Sequence, residues 1–264
     1  MARRICFGRV GLPYKFGLKR FERAAKKPAR WDYGVGDLTV VHSSDLHIDG
    51  RHSEAFHPLC KVLDAARRGR ADVLLLAGDI FDHNRLPLAQ IDRAARLLDD
   101  AGFPVVILPG NHDCLAPDSV YRRGGVAEVP GVHVLGVSSE EAFAWPERDL
   151  EVWGRPHLDY ADYSPLAEPR PRTTRWQIAM AHGHWVRADA DRHRSWLIHS
   201  DDIAATRADY VALGHWPAPG PAGDGRVPAY YSGSPDLAQT VNVVRLSDGG
   251  GVEVTRAQLS ADSA

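Results

Sequence analysis

Cysteine is scarce: the 264-residue chain has three, Cys6, Cys60 and Cys114, and no C-x-x-C pair. Three thiols cannot complete a disulfide framework, so a reducing, cytoplasmic setting is expected. Long apolar runs are also missing. The longest lie around Val73–Ala77 and Val105–Leu108. They have the length of buried strands and fall far short of the roughly 18 residues that span a bilayer, so no membrane association is expected. No apolar stretch near the N-terminus could serve as a signal peptide. No serine occurs before Ser43, which argues against a transit peptide. Low-complexity tracts and internal repeats are absent. What is present is 44% hydrophobic and 25% charged residues, the composition of a globular chain able to bury a core.

The net charge of −2 is unevenly spread. Residues 1–30 hold ten Lys/Arg against one acid, Glu22, while the rest holds 22 basic against 33 acidic residues. We read residues 1–37 as a basic N-terminal extension and 38–264 as the folded domain. Such an arm suits either nucleic acid or a solvated surface segment.

Periodicity predicts a strand over 38–42, a helix over 54–68 and a strand at Val73–Ala77. A helix over 87–101 follows, opened by Pro87 and closed by Gly102, then a strand at Val105–Leu108. This β-α-β-α-β series implies parallel strands joined by right-handed crossovers. Downstream, short strands are predicted at 132–136, 150–154, 177–182, 210–213, 229–232, 241–246 and 252–259. One helix over 195–205 interrupts them, and 164–172 and 217–228 read as loops.

The chemistry gathers where strands end. The first ends in Ser44-Asp45-Leu46-His47, the second in Gly78-Asp79-Ile80-Phe81-Asp82, and the third in Gly110-Asn111-His112-Asp113. Later strands end in His182-Gly183-His184 and Gly214-His215. Ligands bind beyond the carboxyl ends of strands in α/β sheets. One Asp or Gly-His after a strand is ordinarily a turn; five such ends in order are not. Carboxylates, imidazoles and an amide oxygen suit a divalent ion such as Mn, Fe or Zn, and no thiolate takes part.

In this pattern the chain resembles the calcineurin-like metallophosphoesterase superfamily, whose signature is D-x-H, G-D-x-x-D, G-N-H-D/E, a lone His and G-H-x-H. The segments Tyr210-Val211-Ala212-Leu213-Gly214-His215 and Tyr231-Ser232-Gly233-Ser234-Pro235 look most like its SbcD-type DNA-repair exonuclease branch. The resemblance implies a four-layer αββα sandwich with two mixed β-sheets. It implies two divalent ions: Asp45 and His47 on the first, Asp79 bridging, and Asn111, His182 and His215 on the second. His112 becomes the general acid, oriented by Asp82, with Asp113 supporting the loop. The implied activity is phosphoester hydrolysis by metal-activated hydroxide, with a nucleic-acid or nucleotide phosphodiester as substrate. Alternatives are a small-molecule phosphatase, a cyclic-nucleotide phosphodiesterase, or a non-catalytic metal- or nucleic-acid-binding protein that kept the fold.

Two departures matter. Gly214-His215-Trp216-Pro217 ends in proline where the signature has histidine, so the first metal site is expected to be the weaker one unless His184 or Asp236 completes it. Only 18 residues follow Leu246, so the further DNA-binding cap and helical ATPase-binding segment of that branch are not expected in this chain. Arg85, just after the second motif, is a candidate phosphate contact. Arg122 and Arg123, which with Tyr121 follow the third motif, are weaker ones, and the remaining histidines, His157 among them, show no ligand spacing.

Overall fold

A computed structural model describes residues 36–187, 191, 193–249 and 251–260. The basic segment 1–30 lies outside the described residues. The strands are β1 (Leu38–Ser43), β2 (Val73–Ala77), β3 (Val105–Leu108), β4 (Val132–Val134), β5 (Ala142–Trp145), β6 (Leu150–Gly154) and β7 (Trp176–His182). They continue with β8 (His184–Trp185), β9 (Leu197–Ile198), β10 (Tyr210–Gly214), β11 (Gly220–Ala222), β12 (Ala229–Tyr231), β13 (Thr240–Ser247) and β14 (Gly251–Gln258). The α-helices are α1 (His57–Arg68), α2 (Leu88–Asp99), α3 (Val120–Arg123), α4 (Ser200–Thr206) and α5 (Pro235–Ala238). None is long and apolar enough to cross a membrane.

Two six-stranded mixed sheets result, ordered β14-β13-β1-β2-β3-β4 and β11-β12-β10-β7-β6-β5. In the first, β1 to β4 run parallel and β13 pairs antiparallel with β1. The reason is local: β1, β2 and β3 alternate with amphipathic helices, and a crossover helix returns the chain in the same direction. In the second, β6, β7, β10 and β12 are parallel, while β5 and β11 close the edges antiparallel.

Alternation along each strand sorts the core into layers. Leu38, Val40, Leu75 and Leu108 face Ile178, Met180, Tyr210 and Ala212 between the sheets. Val41, Leu74, Leu76 and Ile107 point the other way, onto Leu59, Leu63, Ile91 and Leu98 of α1 and α2. On the outer face of the second sheet, Ala179, Val211 and Leu213 meet Ile203 of α4. This is the αββα arrangement with two mixed sheets.

Some predicted elements differ. The helix expected over 195–205 is instead β9 followed by α4. Trp196 adopts a left-handed backbone (φ 55°), and His199 and Asp202 form a capping box that starts the helix late. The predicted loop over 217–228 contains β11, an edge strand paired with β12. β5, with the short sequence Ala-Phe-Ala-Trp, lacks a run long enough to read as a strand.

Between the sheets lies a polar island. His42 Nδ1 is 2.9 Å from Tyr210 Oη, Asn242 Nδ2 is 3.3 Å from the same hydroxyl, and Arg256 of β14 reaches Asn242. His42 is fully buried. Burial first, then Arg256, lowers its pKa from 6.5 to about 3. In the unfolded chain it takes up a proton near pH 6.5, so stability falls as pH drops from there towards 3 and is unaffected above it. From pH 7.5 to pH 5 the expected loss from this residue is about 2 kcal/mol. Urea unfolding of His42→Gln at both pH values should show the dependence reduced by that amount; an unchanged dependence would refute the assignment.

Candidate metal centre

Five strand ends, of β1, β2, β3, β7 and β10, come together at one edge, and the backbone there is strained to aim the side chains. Asp45 (φ 55°), His47 (φ 48°), Asp79 (φ 53°) and His215 (φ 95°) all hold positive φ. Such conformations cost a non-glycine residue of order 1–3 kcal/mol each and persist where surrounding structure imposes them. Main-chain bonds impose them here: Asp45 N donates to Gly78 O and His47 N to Asp79 O, both at 3.0 Å. Gly78 is required for a second reason. At φ +89° a Cβ on it would overlap the His182 ring.

His182 carries the clearest electrostatic signature. Its Nδ1 lies 2.9 Å from Ala77 O. A carbonyl only accepts, so Nδ1 carries the hydrogen and the Nε2 lone pair is directed elsewhere. Nε2 faces Asn111 Oδ1 at 3.1 Å and Asp79 Oδ2 at 3.2 Å. His215 Nδ1 stands 3.2 Å from the same Asn111 oxygen. Lone pairs of three or four groups thus converge on one point, which only a proton or a cation can satisfy. Asp45 and Asp79 are both buried, and no lysine or arginine pairs with either among the described residues. Burial opposes a charge on His182, yet Asp79 and then Asp45 push its pKa up to about 9. Burial also raises the Asp45 carboxyl. It would raise Asp79 too, but His182 holds that carboxyl below the usual range. This donor set fits a divalent ion.

A second cluster adjoins it. Ligand atoms of Asp45, His47 and Asp79 lie within 4.8 Å of one another. Asp79 therefore belongs to both groups, the position of a bridge. Pro217 is exposed and its carbonyl accepts from Ser234 N at 3.0 Å, so it brings no side-chain donor to the cluster. Neither proposed substitute joins it. His184 turns aside, with Nε2 3.4 Å from Asp191 Oδ1 and its ring 5.4 Å from that of Trp216. Asp236 is exposed at the start of α5.

His112 sits at the mouth of the centre with its side chain 42% exposed, its ring 4.8 Å from that of His47. Its orientation differs from the expectation in one respect. Nδ1 donates to the main-chain oxygen of Asp82 at 2.8 Å, whereas the Asp82 carboxylate is 3.6 Å away and closer, at 3.3 Å, to His47 Nδ1. The carbonyl fixes the ring and places its hydrogen on Nδ1, without the charge assistance a carboxylate would add, and leaves Nε2 free of that bond. Arg85 is exposed, three residues beyond Asp82.

Further supports surround the centre: Asp113 holds the loop as expected, whereas Ser44 and His157 carry no such role in the sequence analysis. The buried Asp113 carboxylate accepts from Ile80 N, Phe81 N, Gly110 N and Tyr121 Oη, tying the second motif to the third. Tyr121 is thus committed to Asp113. Arg123 is committed too, to the main-chain oxygens of Asn84, Leu86 and Asp118. Ser44 Oγ donates to Asp45 and pairs with Ser232 Oγ at 2.8 Å. His157, taken for an ordinary histidine, is fully buried and donates from Nε2 to His182 O at 2.9 Å. Its signal was available: it follows Gly154-Arg155-Pro156 at the end of a strand, as the other site residues follow theirs.

The chain is 26% identical, over 74% of its length, to the DNA double-strand break repair protein Mre11 of Aeropyrum pernix, and covers 52% of that protein. It is 29% identical, over 68% of its length, to the uncharacterized metallophosphoesterase YhaO of Bacillus subtilis, of which it covers 48%. The chain thus spans about half the length of these relatives. It is 24% identical to UDP-2,3-diacylglucosamine hydrolase of Pseudomonas aeruginosa, over 68% of this chain and 91% of that one. The crystal structure of TT1561 of Thermus thermophilus shares the fold, with a TM-score of 0.57 over 84% of this chain and 99% of that chain at 14% identity. The profile of the calcineurin-like phosphoesterase family matches residues 38–219, a span that takes in all five converging strand ends, and the chain belongs to that family.

Proposed function

We propose that the chain hydrolyses a phosphodiester of nucleic acid or a nucleotide, using two divalent ions, with Mn, Fe or Zn the fitting choices for this donor set. The observation that carries the reading is the convergence of His182 Nε2, Asn111 Oδ1, Asp79 Oδ2 and His215 Nδ1 beside the group of Asp45, His47 and Asp79. When bound, the ions would supply Lewis-acid polarisation of the phosphoryl oxygens and acidify water. Asp45 and His47 would hold the first, Asn111, His182 and His215 the second, and Asp79 both. His112 does the remaining work. Its Nδ1–H is fixed on Asp82 O, so the outward Nε2 is free to hold a proton and deliver it to the leaving oxygen. Arg85, exposed and three residues beyond Asp82, would be the candidate to contact a phosphate oxygen.

The phosphodiester choice is supported by the Mre11 relatives, which are DNA double-strand break repair proteins. A nucleotide-linked small molecule is the second reading. It is favoured by the UDP-2,3-diacylglucosamine hydrolase relative, nearly all of whose length the chain matches. Elemental analysis together with hydrolysis of bis-p-nitrophenyl phosphate and p-nitrophenyl phosphate tests the proposal. Turnover of the diester well above the monoester supports it. Faster turnover of the monoester would make the protein a phosphatase, and bound metal with no turnover of either would leave only a binding role.

A further inference from the structure

The His215 side of the centre borders a cavity of about 150 Å³, lined by His184, Trp185, Arg187, Asp191, Trp216 and Tyr231. At roughly 30 Å³ per water, that is the room of about five waters. Trp216 follows the ligand His215 directly in the chain, and the His184 ring lies 6.5 Å from the His215 ring. Whatever fills the cavity therefore sits beside the second ligand group.

Its walls are aromatic. The Arg187 guanidinium lies over the Trp185 ring at 5.3 Å and over the Trp216 ring at 5.6 Å. A flat, delocalised group thus already occupies a stacking position on both indoles, and Arg187 is exposed enough to yield it. Tyr231 offers only its ring, since its hydroxyl donates to Gly183 O and accepts from Trp185 N, both at 2.8 Å. The floor is polar. His184 is 5% exposed and neither ring nitrogen makes a hydrogen bond, although Nε2 lies 3.4 Å from the Asp191 carboxylate.

These walls select among ligands. An aliphatic chain would gain nothing from the guanidinium and would leave His184 Nδ1 without a hydrogen-bond partner. A second phosphate would face the Asp191 carboxylate. A planar heterocycle with a polar edge satisfies both walls and floor, since bases stack on indole and guanidinium planes alike. We propose that this cavity is a nucleobase subsite, holding the base of a nucleotide whose phosphate lies at the metal centre. The inference rests on the nucleotide reading of the substrate given above. It assigns a role to Trp216, the residue between the ligand His215 and the departure at Pro217.

The test is calorimetric binding to the metal-loaded protein of thymidine 5′-monophosphate and of 2-deoxyribose 5-phosphate, which lacks the base. The thymidine compound is expected to bind about tenfold tighter. Trp216→Leu should bring the two within about twofold, Trp216→Phe should keep most of the difference, and elemental analysis should find metal content unchanged in both. Trp185→Leu, away from the ligand residues, should also narrow the gap. Equal binding of the two compounds by the unaltered protein, or a gap that survives both leucine variants, would overturn the subsite. Binding is read without turnover. A protein that binds the base but hydrolyses neither p-nitrophenyl ester would sink the hydrolase reading and leave the subsite standing.

Discussion

Replacing His112 with alanine is expected to leave metal content intact and to lower turnover of an alkyl phosphodiester by about 10²–10⁴-fold, the usual contribution of a positioned general acid. The metal content should survive because, among the described residues, the His112 ring forms no hydrogen bond to Asn111, His182 or His215, and its tie to Asp79 is a main-chain N–H that alanine keeps. Its ring is held by Asp82 O and lies against His47. The turnover should fall because an alkoxide leaves poorly without a proton, and the neighbouring imidazoles are otherwise placed: His182 is fully buried and His47, though partly exposed, faces Asp82 and Asp79. An aryl ester departs as a stabilised phenolate and needs less protonation. The loss on bis-p-nitrophenyl phosphate should therefore be clearly smaller than on a dinucleotide. Steady-state rates of the variant on both substrates decide the matter, and equal losses would remove His112 from the acid role. Asp82→Ala is expected to do less harm than His112→Ala, because the main-chain oxygen that holds the ring remains.

The second large effect concerns occupancy. The second group offers Asp79, Asn111, His182 and His215, four donors within hydrogen-bond distance of a neighbour in the group. The first offers Asp45, His47 and Asp79. Pro217 adds none, His184 is directed at Asp191, and Asp236 is exposed on α5. Losing even an outer-shell partner commonly costs 10–100-fold in metal affinity, and a missing ligand should cost at least as much. One ion per chain is therefore expected to survive dialysis. The other should enter only when free metal is raised about 10–100-fold or more above the level that fills the tighter site. Elemental analysis after dialysis and a metal titration followed by calorimetry measure both numbers. Two ions retained per chain after dialysis against metal-free buffer would mean that a donor outside this group, water included, serves as well as histidine does.

Which strand ends carry the candidate site residues was legible in the residues alone. Asp45, Asp79, Asn111, His182 and His215 each follow an apolar run of strand length, and run length, glycine punctuation and helical period are local properties. The same locality made β2, β3 and β6 readable to the residue and made β1 to β3 parallel, since each pair is bridged by an amphipathic helix. The net charge and its concentration in residues 1–30 were likewise a matter of counting. Where each side chain points once its strand has ended was not legible. His184, two residues after His182, shares with it the alternation of an extended chain, yet it faces Asp191 and Trp216 because β8 leaves the large sheet and pairs with β9. His157 becomes a support of the centre only because β6 lies beside β7 and brings it under His182 O, 25 residues away in sequence. Asp82 holds His112 through its main chain because of the turn it occupies. The direction in which His182 presents Nε2 depends on Ala77, 105 residues earlier, whose carbonyl takes the Nδ1 hydrogen. Beyond the last ladder bond the backbone has no period to follow, and its direction is set by contacts between distant segments that the packing of two sheets brings within 3 Å.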